Sequence, residues 1–146
     1  MRRLILLAAG LAVTAAITGC SGTGFGGDLS INNPILGTLN NNEIVAANVQ
    51  VRTNDEPRAF EAYIYLQYRK GSTGAWSTEA EKIAHITDLP AVGAGYKTIS
   101  QLTAFCAKGQ WRIEMHVIGT SSTGDGQNIF YYFPGPSSSS AGKNLC

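Results

Sequence analysis

Strict two-residue alternation of apolar and polar side chains is the strongest constraint this chain places on its own folding. Val45, Ala47, Val49 and Val51 alternate with Ala46, Asn48, Gln50 and Arg52, the pattern of a strand half buried on a core. The turn residues Asn54-Asp55-Glu56-Pro57 end that run. Phe60, Ala62, Ile64, Leu66 and Tyr68 then define an inward face, while Glu61, Tyr63, Tyr65, Gln67 and Arg69 point the other way. Gly71-Ser72-Thr73-Gly74 turns the chain again.

Further along, Tyr96, Thr98, Ser100, Leu102, Ala104 and Cys106 share one face, and Trp111, Ile113, Met115 and Val117 form the inward face of the next strand. Ala107-Lys108-Gly109 between them predicts a tight antiparallel hairpin. Residues 119–126 are a polar, glycine-rich loop, after which Ile129, Tyr131 and Phe133 alternate with Phe130 and Tyr132 until Pro134-Gly135-Pro136 stops the strand. Residues 76–90 fit two readings. Thr78-Glu79-Ala80-Glu81 has the form of a capping box opening a short helix towards Asp88, and the same residues suit a strand with an irregular middle, which the neighbouring strands favour. Short strands at turn-punctuated spacing predict an all-β chain folded as a small antiparallel β-sandwich.

The N-terminus carries a different signal. Arg2 and Arg3 precede an apolar run over residues 4–16, followed by Ile17-Thr18-Gly19-Cys20. This segment resembles the signal peptide and lipobox of bacterial lipoproteins. The run is shorter than the roughly 20 apolar residues a membrane-spanning helix needs. The resemblance implies that residues 1–19 are removed on export and that Cys20 becomes the new N-terminus, with a diacylglycerol on its thiol and commonly a further acyl chain such as palmitate. Each buried methylene contributes about 0.8 kcal/mol, so two or three chains anchor durably. The protein would then face outwards from the bacterial cytoplasmic membrane, or sit in an outer membrane if the host has one. Arg2-Arg3 before Leu4-Ile5-Leu6 is also similar to a twin-arginine export signal, which leads to the same side. Residues 20–42 then read as the lipidated cysteine, a flexible glycine-rich tether over 21–27 and an Asn-rich lead-in with an irregular or edge strand, and 43–146 as the sandwich domain.

Processing changes the charge. Of eleven basic residues Arg2 and Arg3 are lost, leaving nine against ten acidic, so the formal net charge passes from +1 to −1. That lacks the basic excess of a nucleic-acid binder. With Cys20 lipidated, Cys106 and Cys146 remain, and an oxidising compartment predicts a disulfide between them that ties back the tail. Leu89-Pro90, Tyr96, and Cys106 and Gly109 before Trp111-Arg112 are similar to the later strands of immunoglobulin-like and fibronectin-type modules. The chain departs from true immunoglobulin domains in that Cys146 lies beyond the last strand.

Residues for chemistry are few. His85 and His116 have no carboxylate or cysteine cluster at ligand spacing, so no metal, cofactor or catalytic role is expected of them. Ser121-Ser122-Thr123-Gly124-Asp125-Gly126 lacks both the strand-to-helix elbow of hydrolases and the spaced oxygens of a calcium loop. Glu79, Glu81 and Asp88 offer carboxylates, but a domain this small seldom provides the groove glycoside hydrolysis needs. Tyr63, Tyr65, Phe130 and Tyr132 all fall on outward faces. Either they form an exposed contact patch, or the second sheet, the tail or the lead-in covers them, and a pinned tail tips the balance towards cover. The expected function is a non-enzymatic interaction module at the cell envelope, contacting an envelope component, a foreign surface protein or a glycan. The alternatives are a small-ligand or lipid carrier, and a cell-wall hydrolase relying on Ser122, Asp125 or His116.

Overall fold

The alternating segments pair into two antiparallel sheets whose apolar rows face each other. The computed structural model describes residues 22–32, 34–134 and 142–146, so residues 1–19, expected above to be a signal peptide, and Cys20 lie outside the described residues. The described strands are β1 (Gly22–Gly24), β2 (Leu29–Ile31), β3 (Ile35–Leu39), β4 (Ile44–Thr53), β5 (Ala59–Arg69), β6 (Ser77–His85), β7 (Lys97–Phe105), β8 (Gly109–Thr120), β9 (Gly126–Phe133) and β10 (Lys143–Leu145). In the first sheet β4 is central, with β7 along one side and β3 and β2 in succession along the other, and β1 flanks β2. In the second, β8 is central, with β5 and then β6 on one side and β9 and β10 in line on the other. This is an all-β sandwich.

Inward residues of β4, β5 and β8 make the middle of the core. Val45, Val49, Val51, Ala62, Ile64, Leu66, Ile113, Met115 and Val117 are all essentially shut off from solvent. Each buried aliphatic side chain of this size contributes about 1.5–3 kcal/mol, which makes the alternation itself the main source of stability. Between β3 and β4 the turn runs through Asn40, Asn41 and Asn42, all at positive φ. Asparagine tolerates that region better than other non-glycine residues, and Thr38 Oγ1 donates to Asn42 Oδ1 at 2.6 Å across the turn.

Residues 77–85 form a strand, and Ile86–Asp88 a single 3₁₀ turn. Their period is blurred in sequence because Lys82 takes an inward-row position opposite Ile64 while Ile83, opposite Tyr63, stands on the outer face. Ala84, opposite Ala62, carries the true inward signal.

Three sequence expectations are corrected. First, β7 and β8 are not a hairpin: β7 pairs with β4, and β8 with β5, β9 and β10. Residues 106–108 carry the chain from one sheet to the other, and the Trp111 indole N–H donates to the Ala107 carbonyl at 3.0 Å across the bend. Second, Tyr96 and Thr98 do not share the inward face. The β4–β7 register shifts so that Ser100 lies opposite Val49 and Thr98 opposite Gln50, which leaves Ile99 as the extra, buried residue. Thr98 Oγ1 thus accepts from outward-facing Gln50, and Tyr96 lies exposed against the Arg52 guanidinium.

Third, residues 22–27 are not a tether, and the sandwich begins before residue 43. Gly22–Gly24 pairs with β2, and Phe25 is 1% exposed, packed edge-on against Phe60 with ring centroids 5.6 Å apart. A Cβ on Gly24 would sit 2.0 Å from the Tyr131 hydroxyl oxygen, so glycine is needed there for close approach and not for flexibility. Next to it, the buried Asp28 carboxylate accepts from the Ser122 backbone N–H at 2.8 Å and from its hydroxyl at 2.6 Å, which fastens the β8–β9 loop to the N-terminal segment.

Cys106 and Cys146 are bonded, with Cα atoms 5.8 Å apart. The bridge joins the bend between sheets to the end of β10, whose Lys143 ammonium also donates to the Leu36 carbonyl of the first sheet at 3.0 Å. Two predictions follow from these ties. Cys106→Ser opens a loop of 40 residues and, on the chain-entropy model, should lower unfolding stability by about 4 kcal/mol in oxidising buffer, with no further loss on adding reductant. Asp28→Ala strands a part-buried amide and should cost about 1–3 kcal/mol in urea denaturation, whereas Ser122→Ala, which leaves the amide bonded, should cost less.

Candidate functional site

The outer face of the second sheet gathers the aromatic residues, because β5, β8 and β9 pair in register and their outward positions line up across the strands. One row reads Ile83, Tyr63, His116, Phe130, and the next reads Glu81, Tyr65, Glu114, Tyr132. Tyr63, Tyr65, Phe130 and Tyr132 therefore occupy one surface, in two adjacent rows. Phe130 is 48% exposed, Ile83 42% and Ile118 40%, while the three tyrosines are half-buried against their neighbours. Among the described residues no strand lies over this face, and the C-terminal strand β10 runs in line with β9 at the sheet edge.

Ring geometry sets how the face meets a partner. His116 and Phe130 are cross-strand neighbours, stacked at 4.0 Å with planes 6° apart, and Phe130 and Tyr132 are parallel to within 10°. Rings stacked across neighbouring strands have their normals in the plane of the sheet, so they present edges and tips outwards rather than flat faces. His116 is further held by Nε2 to Asn128 Oδ1 at 2.7 Å and approaches Tyr63 at 6.1 Å.

The opposite end of the same face is closed by cations. Arg69 and Arg112 both lie over the Trp76 ring, at 4.4 and 4.3 Å, and Arg112 also lies 5.0 Å from the Tyr132 ring. Arg112 donates through Nε to Gln67 Oε1 at 2.7 Å and pairs with Glu114 at 3.0 Å, and burial pushes its pKa below the usual arginine value. Arg69 reaches Gln110 Oε1 through two nitrogens, at 2.9 and 2.7 Å. The result is a surface with a closed cationic end, packed on Trp76, and an open apolar end centred on Phe130.

Glu61 borders the open end. It accepts a hydrogen bond from the Tyr63 hydroxyl and lies 3.4 Å from His85 Nδ1. The hydrogen bond to Glu61, then the carboxylate's charge, raise the Tyr63 pKa above the ordinary tyrosine value. The fold thus favours the neutral phenol. That contribution is complete below the ordinary tyrosine value and is lost as pH climbs through the raised one. In a phenolate absorbance titration, Glu61→Gln should return one late-titrating tyrosine towards the ordinary range, while a second, Tyr131, stays high because burial raises it.

The residues considered for hydrolysis are not brought together. Ser122 is bonded to Asp28, Asp125 accepts from Thr123 Oγ1 at 2.6 Å, and His116 is bonded to Asn128 in mid-strand. Glu79 accepts from the Ser77 hydroxyl and Asp88 from the His85 amide. Among the described residues no cluster of His, Cys, Asp and Glu is placed to hold a metal ion. A depression of about 680 Å³, open to solvent, lies beside the β8–β9 loop between Arg58, Ile86 and Thr123. Sequence alternation found the aromatic tyrosines and Phe130 but missed Ile83 and Ile118 as members of the face. Ile118 was legible in principle, two residues beyond His116, whereas Ile83 was hidden by the blurred period of β6. The chain matches no protein-family model and no curated protein.

Proposed function

We propose that this protein is an exported lipoprotein, anchored through Cys20, whose sandwich acts as a non-enzymatic interaction module at the bacterial cell envelope. The carrying observation is the open aromatic end of the second sheet, where Phe130, Ile83 and Ile118 stay exposed beside Tyr63, Tyr65 and Tyr132. Contiguous apolar surface of this kind on a small domain marks a contact site. Edge-on rings suit the irregular apolar surface of a protein better than the flat face of a sugar, so the partner class is an envelope or foreign surface protein rather than a glycan. Support for the anchor is the lipobox-like Ile17-Thr18-Gly19-Cys20 after its short cationic and apolar lead. Immunoglobulin-like kinship belongs to the same proposal. It is supported by a chain that changes sheets after β4, β6 and β7, an alternation between sheets like that of immunoglobulin-type sandwiches.

The test is crosslinking on intact cells and recovery of the membrane-anchored protein, comparing wild type with Tyr63→Ser/Tyr65→Ser. One specific protein partner lost in the variant is the expected result. A partner indifferent to both substitutions would make the aromatic face structural. Cys20→Ser should release the protein from the membrane fraction, and a processed variant that still sediments with membranes would overturn the anchor.

A further inference from the structure

Sheet edges are where a β protein is open to unwanted pairing, and most edges of this sandwich carry a recognised defence. β6 has Glu79, Glu81 and an inward-row Lys82 together with a register shift, and β7 has Lys97 and its own shift at Val49/Gln50. β1 and β10 are three residues long and β3 five. Charge, bulges and shortness are the devices that keep edges from pairing. β9 has none of them. Its eight residues, Gly-Gln-Asn-Ile-Phe-Tyr-Tyr-Phe, contain no Asp, Glu, Lys or Arg and no proline, and its register with β8 runs without a shift from Gly126↔Thr120 to Phe133↔Ile113.

The free backbone groups of β9 can be assigned. Ser121 N–H donates to the Asp125 carbonyl at 2.9 Å at the mouth of the hairpin, which marks Ser121/Asp125 as a hydrogen-bonded pair. Bonded and non-bonded pairs alternate along an antiparallel ladder, so Gln127, Ile129, Tyr131 and Phe133 bond to β8, and Asn128, Phe130 and Tyr132 turn their N–H and C=O groups away from it. Among the described residues no strand lies on that side. The N-terminal segment reaches β9 through a hydrogen bond between the Phe25 backbone and the inward Tyr131 hydroxyl.

We infer that β9 is a self-pairing edge: two copies of this chain join antiparallel through β9 about a twofold axis at Phe130, making one continuous sheet of β6-β5-β8-β9 from each copy. A second copy is favoured over a charged foreign strand because the uncharged edge meets itself with no charge to desolvate. In this register Phe130 faces Phe130 of the other copy and Asn128 faces Tyr132. Because its ring normal lies in the sheet plane, Phe130 offers its free ring face across the axis and prolongs the stack already made with His116. Inward Ile129, Tyr131 and Phe133, only half-buried in one copy, gain cover from their counterparts. This pairing uses the edge and does not depend on the aromatic face having a partner.

The experiment is sedimentation of the full chain, extracted from membranes in mild detergent, over a range of concentrations. Wild type should show a concentration-dependent dimer. Asn128→Pro removes an edge N–H that the β8 ladder does not use and should give a monomer with unchanged far-UV circular dichroism. Asn128→Ala, which loses only the side chain and its bond to His116, should stay dimeric, as should Tyr63→Ser/Tyr65→Ser. Phe130→Lys, placing two ammonium groups on the axis, should be monomeric and folded. A monomeric wild type would overturn the inference, even one that captures another envelope protein through β9. So would a dimer that survives both Asn128→Pro and Phe130→Lys, or one lost in the Tyr63/Tyr65 variant.

Discussion

β8 is the strand on which the rest of the structure depends, because it has to satisfy two environments at once. Its inward residues Trp111, Ile113, Met115 and Val117 line the core of the sandwich, and its outward residues Arg112, Glu114, His116 and Ile118 form the middle of the exposed face. A slip of one residue in pairing would exchange these two sets. Three devices hold the register. β5 pairs along eleven residues, the hairpin to β9 is closed by Ser121, Gly124 and Asp125, and Trp111 is pinned to the Ala107 carbonyl where the chain enters from the other sheet. The aromatic surface is therefore a consequence of core packing, since whatever fixes Met115 inwards fixes His116 outwards.

What the sequence discloses follows the range of the interactions concerned. Faces of β4, β5, β8 and β9 were legible because alternation is local, and so was the sandwich class. Pairing partners were not. Ala107-Lys108-Gly109 has the length and composition of a hairpin turn, and only the long-range pairing of β7 with β4 and β8 with β5 makes it a passage between sheets. The bulge at Ile99 likewise belongs to the partner strand, since a two-residue period cannot be kept through an extra residue opposite Val49 and Gln50. Residues 22–27 misled for another reason. Glycine reads as flexibility, yet Gly24 is set against Tyr131, more than a hundred residues away, and Phe25 fills a core position no local pattern announces. Alternation put the four aromatic residues on one face, which the strand register bears out, while how far each is exposed depends on contacts that no local pattern announces.

The polar groups that invite a catalytic reading are instead used to hold the loops. Asp28, buried and bonded twice to Ser122, locks the β8–β9 loop, and Ser121, Thr123 and Asp125 bond among themselves within it. A buried carboxylate is costly unless such bonds satisfy it, so its job in the fold accounts for its presence. With these side chains engaged, the open apolar surface around Phe130 is one feature whose exposure the fold itself does not explain, as is the 90% exposed Phe105 at the end of β7.

The position of the N-terminal strand bears on the proposed anchor. β1 starts at Gly22, and two residues of extended chain span only about 7 Å, so a lipid on Cys20 would hold the sandwich close to the headgroups instead of on a loose leash. The β1–Phe25 segment also touches the inward side chain of Tyr131 on β9. Anchored copies would diffuse in a plane, so the β9 edges of two copies would meet at high effective concentration. The antiparallel contact at β9, already formed reversibly by free molecules, would be more fully populated under that anchor.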